Sequence, residues 1–293
     1  MIDGALLLDK PLGLSSNRAL QEAKKILGAK KAGHGGTLDP LASGLLVILF
    51  GEATKFAGPM LDADKEYLAR VKLGERTDTG DAEGSVLEAR PVNVGPEQID
   101  SALRRFRGVI EQTPPMHSAL KRDGVPLYKL ARQGRTVERQ ARRVEIHELE
   151  LLETALPFLE LRVRCSKGTY IRSLAEDIGA ALGTGGHLAA LRRTGSGRFR
   201  VDHATTLEAL RAMAQPHACL LPLAVLLEGL PRASLDAAAE VRLRNGQPLK
   251  ISGLAEGLCA IFGVDGGVIG LGRGEADGVL KALRLTQAAE KHR

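Results

Sequence analysis

Two periods of apolar and polar residues run along this chain of 293 residues. Apolar residues recurring every three or four positions give a helix one buriable face, while alternation or a short apolar run does the same for a strand. Residues 5–9 (ALLLD) predict a buried strand that runs into a Pro/Gly turn at 10–13. Ala19, Leu20, Ala23, Ile26 and Leu27 then recur at helical spacing, with Ser15 or Ser16 as the cap and Gly28 as the stop. Residues 45–50 (LLVILF) predict a second buried strand, and 66–74 alternate as a half-buried one. Residues 76–81 read as a polar turn, and Ile99, Leu103 and Phe106 mark a helix over 96–106. Residues 112–119 read as extended, and strands are predicted at 144–152, 159–165 and 197–201. A turn at 166–170 enters a helix whose apolar face is Ile171, Leu174, Ala175 and Ile178. Thr205 or Thr206 caps a further helix at 207–213.

The pattern changes after Leu221, and residues 226–231 (LLEGLP) mark a boundary. Beyond it come short β-like pieces punctuated by glycine, which suit a small β-barrel. The expected domains are therefore 1–228 and 229–293. The alternation of strands and helices is expected to give an α/β (α+β) fold with flanking helices and this smaller barrel.

Composition narrows the function. Hydrophobic residues make up 44% of the chain, enough for a sizeable core. No apolar run reaches membrane-spanning length, and residues 1–4 lack the basic and apolar regions of a signal peptide. Cys165, Cys219 and Cys259 are far apart and match no zinc or redox spacing, which fits a reducing cytoplasm. The net charge of +6 is unevenly spread. Residues 91–200 hold 19 Lys and Arg against 12 Asp and Glu, and 16 of those 19 are Arg. A guanidinium fork matches phosphate oxygens, so clustered Arg favours a nucleic-acid partner. The densest segment, 121–143, includes Arg132, Arg135, Arg139, Arg142 and Arg143 and predicts a projecting, partly helical insertion along a phosphate backbone.

One stretch draws candidate chemistry together, 33–46 (GHGGTLDPLASGLL). Its glycines permit close backbone approach, and Pro40 biases Asp39 towards an extended backbone. Asp39 is then either the cap of a following helical turn or a held catalytic carboxylate. No Walker Gly-Lys-Ser/Thr follows the glycines, no nucleophile elbow is present, and the seven histidines show no metal-ligand spacing. Arg172 sits near a predicted helix start, an unfavourable end for a cation, which points to a carboxylate partner.

Several motifs occur in one order: 10–16 (KPLGLSS), the 33–46 stretch, Glu66-Tyr67, 76–81 (RTDTGD), 165–172 (CSKGTYIR) and 191–193 (LRR). Together they closely resemble the TruB family of bacterial tRNA pseudouridine synthases, well over residues 1 to about 210 and more loosely in a C-terminal PUA-like RNA-binding module. The resemblance implies the pseudouridine synthase fold, with a mixed, largely antiparallel sheet and flanking helices, and an isomerase that turns uridine 55 of the tRNA T loop into pseudouridine after flipping the base into a pocket. No cofactor or metal is implied, and the partner is tRNA, bound by a monomer. Asp39 matches the catalytic aspartate, Tyr67 the active-site tyrosine and Arg172 the arginine that pairs with the aspartate and favours its charged form. Tyr170 and Leu191 match residues lining the uracil, and His34 one that enters the T loop. Lys10 is expected to hold backbone or phosphate near the site, and Asp81 to support it. Residues 121–143 fall where the family carries a tRNA-gripping insertion. The alternatives are a non-catalytic RNA-binding or tRNA-folding protein on the same fold, or an RNA-guided relative within a complex.

Overall fold

The computed structural model describes residues 2–118, 120–122, 124–131 and 133–287. Among the expected RNA contacts Arg132 lies outside them.

The chain begins with the predicted strand, β1 (Gly4–Lys10), and the helix α1 (Ser16–Ile26). Ser15 is the cap, its hydroxyl accepting from the Arg18 N–H at 3.2 Å, which leaves Ser16 free for another task. A short strand β2 (Ala32–His34) leads into the glycine-rich connection and then β3 (Ala42–Phe50), nearly all of it buried. A 3-10 turn and α2 (Ala57–Asp62) connect to β4 (Lys65–Leu73), which alternates as its sequence does. The polar turn at 76–81 proves to belong to a small hairpin of β5 (Glu75–Thr77) and β6 (Val86–Ala89). Next come α3 (Pro96–Arg104) and β7 (Gly108–Gln112).

The basic insertion holds a two-residue hairpin, β8 (Lys121–Arg122) with β9 (Val125–Pro126), and the short helix α4 (Leu127–Ala131). The long pair β10 (Arg142–Ala155) and β11 (Phe158–Cys165) follows, then α5 (Ile171–Ala181) and β12 (Gly186–Ser196). Beyond β13 (Phe199–Arg200), Thr206 caps α6 (Leu207–Ala212), and α7 (Leu223–Leu226) closes this part. The remainder is β14 (Arg232–Ser234), α8 (Ala237–Arg244), β15 (Leu249–Lys250), β16 (Gly257–Phe262), β17 (Val268–Gly274) and β18 (Val279–Leu285).

The main sheet runs β1-β3-β12-β4-β11-β10-β7, with β2 and β13 added at its margins. It is mixed: β12 lies parallel to β3, and the other neighbours along this path are antiparallel. This makes β12 the seam between the strand that follows the glycine-rich loop and the strand that carries Tyr67. One core packs α3 and α5 on the β4–β11–β10 face, and another packs α1 and α6 on β1 and β3. The C-terminal strands form a separate, curled five-stranded sheet, β14-β16-β17-β18-β15, at the place of the expected small barrel. Its Ala260 and Leu271 share a third apolar core with Leu45, Val47 and Phe56. Burial at roughly 25 cal/mol per Å² of apolar surface ties that sheet firmly to the back of β3.

Candidate active site

Asp39 stands between β2 and β3, and a strand rather than a helix follows it. The helix-cap alternative therefore falls, and the loop is braced by other means. The Leu38 N–H donates to Ser16 Oγ at 2.7 Å, and the Ser16 hydroxyl donates to the Leu38 carbonyl at 2.9 Å. The Leu38 side chain enters the same core as Tyr67. On the far side, the Ala42 N–H donates to the Asp39 carbonyl at 3.0 Å and the Gly13 N–H to the Pro40 carbonyl at 2.9 Å. The KPLGLSS turn is thus a clamp on the loop, and Asp39 is held by backbone on both sides. Gly44 completes it. Its φ is +98°, and a Cβ there would meet the Arg193 carbonyl oxygen at 2.3 Å, so only glycine lets β3 pass β12 this closely.

Arg172 is the second residue of α5, and its guanidinium is nearly all buried. Nη2 lies 3.0 Å from Asp39 Oδ2 and donates to the His117 carbonyl at 2.6 Å. Nη1 lies 3.5 Å from Asp81 Oδ2 and donates to the Thr79 carbonyl at 3.2 Å. Asp81 is itself fixed by the Thr79 hydroxyl at 2.6 Å and the Glu83 N–H at 3.1 Å. One cation therefore bridges an exposed carboxylate and a buried one. Two carboxylates offset the misplaced positive charge at the helix start.

Asp39 and Arg172 open on a cavity of about 330 Å³ that Tyr67, Tyr170 and Leu191 also line. Tyr170 is set by Gln112, whose amide donates to the Tyr170 carbonyl at 3.0 Å and accepts from its N–H at 2.7 Å. Burial pushes the Asp39 carboxyl above the usual aspartate range, and Arg172 is the main influence opposing it. Arg172 thus favours the charged form, and burial outweighs it. Asp39 keeps 44% of its side chain open to the cavity, so water moderates the rise until a ligand displaces it.

Three family models match in series. Residues 24–171 fit the N-terminal domain of TruB family pseudouridylate synthases, 172–228 the C-terminal domain of tRNA pseudouridylate synthase B, and 231–286 the C-terminal part of pseudouridine synthase II TruB. The chain belongs to the TruB family. It is 54% identical to tRNA pseudouridine synthase B of Burkholderia mallei, over 97% of each chain. It is 59% identical to that of Ralstonia pickettii, over 85% of this chain and 80% of the relative. Among solved structures it is similar to a chain of an H/ACA RNP bound to a substrate RNA containing 2'-deoxyuridine. The TM-score is 0.75 at 26% identity, covering 98% of this chain and 86% of that one. A chain of an archaeal box H/ACA sRNP Nop10-Cbf5 complex gives 0.73 at 27%, covering 96% and 85%.

In this TruB-family site two expected residues stand back from the cavity lining. His34 is half-buried at the end of β2, with its Nδ1 buried and without a hydrogen-bond partner among the described residues. Burial and Arg193 hold its pKa below the ordinary histidine value. Lys10 is fully buried, and its ammonium donates to the Pro11 carbonyl at 2.9 Å and the Leu14 carbonyl at 2.6 Å. It reaches Asp39 as a charge, and burial lowers its pKa to about 8.

Of the basic residues, Arg135, Arg142 and Arg143 are exposed. Arg142 pairs with Gln112 across β10 and β7, next to the Tyr170 clamp. Arg139 turns inward instead: Nη1 donates to the Pro114 carbonyl at 3.1 Å, and the side chain lines a second cavity with Glu176 and Asp177.

Two buried cations of the cavity wall received no role from the sequence, Lys65 and Arg193. The signal for Lys65 was present. Alternation along β4 puts Lys65 on the same buried face as Tyr67, Ala69, Val71 and Leu73. Its ammonium donates to the carbonyls of Met60, Leu61 and Ala63 at 2.9, 3.0 and 2.7 Å, which closes the end of α2. The LRR run contained Arg193, but only the pairing of β12 with both β3 and β4 shows what it reaches.

Proposed function

We propose that this chain converts uridine 55 in the T loop of tRNA to pseudouridine, with Asp39 as the catalytic group. Family membership makes it a pseudouridine synthase, an isomerase. The name shared by relatives at 54–59% identity supports tRNA as its substrate. The observation that carries the site assignment is the Asp39 carboxylate, paired with Arg172 and facing a cavity shared with Tyr67.

In this reading the uridine leaves the T-loop stack and enters the cavity, at a cost of a few kcal/mol. The Tyr67 ring stacks on the uracil, worth roughly 1–3 kcal/mol. His34 fills the gap left in the loop. Three routes are open to Asp39: attack at C1′, attack on the ring, or removal of the C2′ proton. By each route the N1–C1′ bond breaks, the base turns between Tyr67 and the wall of Tyr170 and Leu191, and C5 bonds to C1′. The C5 proton then leaves, with the Tyr67 hydroxyl to move it, and N1 gains a proton. Substrate and product have the same atoms, so the balance calls for no cofactor, metal or energy source. Lys10 acts through its charge on Asp39.

Residues 1–228 form the catalytic domain of a cytoplasmic monomer, with the insertion at about 121–143 gripping the tRNA elbow. Residues 229–293 form the PUA-like module. Among the described residues no helix is long and apolar enough to cross a membrane. Arg132, Arg135, Arg142 and Arg143 are assigned to the RNA backbone, and Arg139 mainly to holding the insertion on the body. The test is incubation with an unmodified tRNA transcript followed by mapping of pseudouridine. Product at position 55 is expected. Tight binding with no product favours the non-catalytic RNA-binding reading.

A further inference from the structure

Arg193 is the largest fully buried side chain among the described residues, 2% exposed, and it lies on the seam strand β12. Its Cα partners are Tyr67 on β4 and Gly44 on β3, so it faces the two strands that present the site. The guanidinium leans over the loop. Nε donates to the Leu45 carbonyl at 2.7 Å, Nη2 to the Gly36 carbonyl at 3.1 Å and Nη1 to the Thr37 carbonyl at 3.4 Å. These carbonyls lie on either side of Asp39 in sequence.

Among the described residues no carboxylate forms an ion pair with Arg193. Burying a charge without a counter-ion is costly, and apolar residues of similar volume fill such places at least as well. Packing alone therefore gives no reason for a guanidinium here. Three of its five N–H groups are used, on the Gly36 and Thr37 carbonyls of the loop and the Leu45 carbonyl of β3. Arg193 is the cross-strand partner of Tyr67, so the two side chains are neighbours, and it is the main influence opposing the rise that burial gives the Tyr67 phenol. Both side chains line the cavity.

We propose that Arg193 is a positioning residue for the isomerisation: anchored on the loop that carries Asp39, it holds the Tyr67 hydroxyl at a fixed place in the cavity. The proposal rests on the roles given to Asp39 and Tyr67 above. A guanidinium serves because it is a rigid fork with five donors, able to hold several carbonyls and still offer an N–H to a neighbouring phenol. Lysine keeps the charge and loses that geometry.

The test is a double-mutant cycle of Arg193→Lys and Tyr67→Phe, with kcat and KM measured on a tRNA transcript. Arg193→Lys is expected to lower kcat about tenfold or more with KM changed less than about twofold, the pattern of an interaction made during the reaction. In the Tyr67→Phe background the same change is expected to cost less than about threefold, because its target is gone. Losses that multiply across the cycle overturn the proposal and leave the catalytic reading standing. A wild-type rate for Tyr67→Phe alone removes the Tyr67 hydroxyl from the reaction, and no product from the wild type removes the catalytic reading itself. Should Arg193→Lys fail to fold, the ¹⁵N resonance of Arg193 Nε decides. It is expected to shift between wild type and Tyr67→Phe, and an unmoved resonance overturns the contact.

Discussion

The Arg172 guanidinium lies 3.0 Å from the Asp39 carboxylate, although one residue begins helix α5 and the other stands in the loop before β3. The arginine holds the acid in place and resists the upward push of burial on its pKa. In the proposed reaction Asp39 acts only when ionised, by any of its three routes, so activity should fall as pH drops through its pKa. The acidic limb of kcat/KM should therefore lie above the ordinary aspartate value of about 3.9. In Arg172→Gln the residual activity should show that limb at still higher pH, because the largest lowering influence is gone. A limb at the same pH in both proteins contradicts the pairing.

Ser16 should matter far more than a helix-start serine ordinarily does. Ser16→Ala loses both bonds to Leu38 and leaves a buried N–H and C=O unpaired. The expected cost is about 1–3 kcal/mol in urea unfolding. Because Leu38 adjoins Asp39, kcat should fall more than tRNA affinity does. A loss confined to affinity would place Ser16 at the RNA surface instead.

Most helices and strands were legible because each buries one face at a fixed period. Ile171, Leu174, Ala175 and Ile178 marked α5, and the alternation of 66–74 marked β4. For the Arg172–Asp39 pair, a cation at a helix start asks for an acid without saying which one, and only the family resemblance named Asp39. Lys65 and Arg193 were missed because their buried partners are backbone carbonyls, and a carbonyl leaves no mark on residue type. Arg139 and Arg142 look alike in a basic run, yet one bonds Pro114 on the body while the other begins an exposed strand end. Only tertiary placement separates them.

Lys65 supplies a stability test with a defined direction. Burial lowers its pKa to about 8, against about 10.4 for an ordinary lysine. Between those values the unfolded chain holds the proton more tightly than the folded one, so this residue's contribution to stability rises with pH. Below about pH 8 both states are charged and the burial cost is felt in full. The stability gap between wild type and Lys65→Met should therefore move in favour of wild type by about 2 kcal/mol from pH 7.5 to 9.5. A gap that stays constant with pH shows that Lys65 does not titrate there.

The exposed arginines give a salt-dependent prediction. Replacing Arg135, Arg142 and Arg143 together with Gln should weaken tRNA binding. The slope of log Kd against log salt should fall by about 1 for every phosphate that these arginines no longer neutralise. Arg139→Gln should instead lower the stability of the insertion and leave the slope nearly unchanged. An unaltered slope in the triple variant would show that this rim does not touch phosphate.

Asp39 is the residue on which the functional reading turns, and Asp39→Asn keeps its size while removing the charge. The direct measurement is single-turnover pseudouridine formation at position 55 of a tRNA transcript, together with the Kd for that tRNA. The expected result is no detectable product with a Kd within about threefold of wild type, a difference of less than about 1 kcal/mol. Appreciable turnover by Asp39→Asn contradicts Asp39 as the group that does the chemistry.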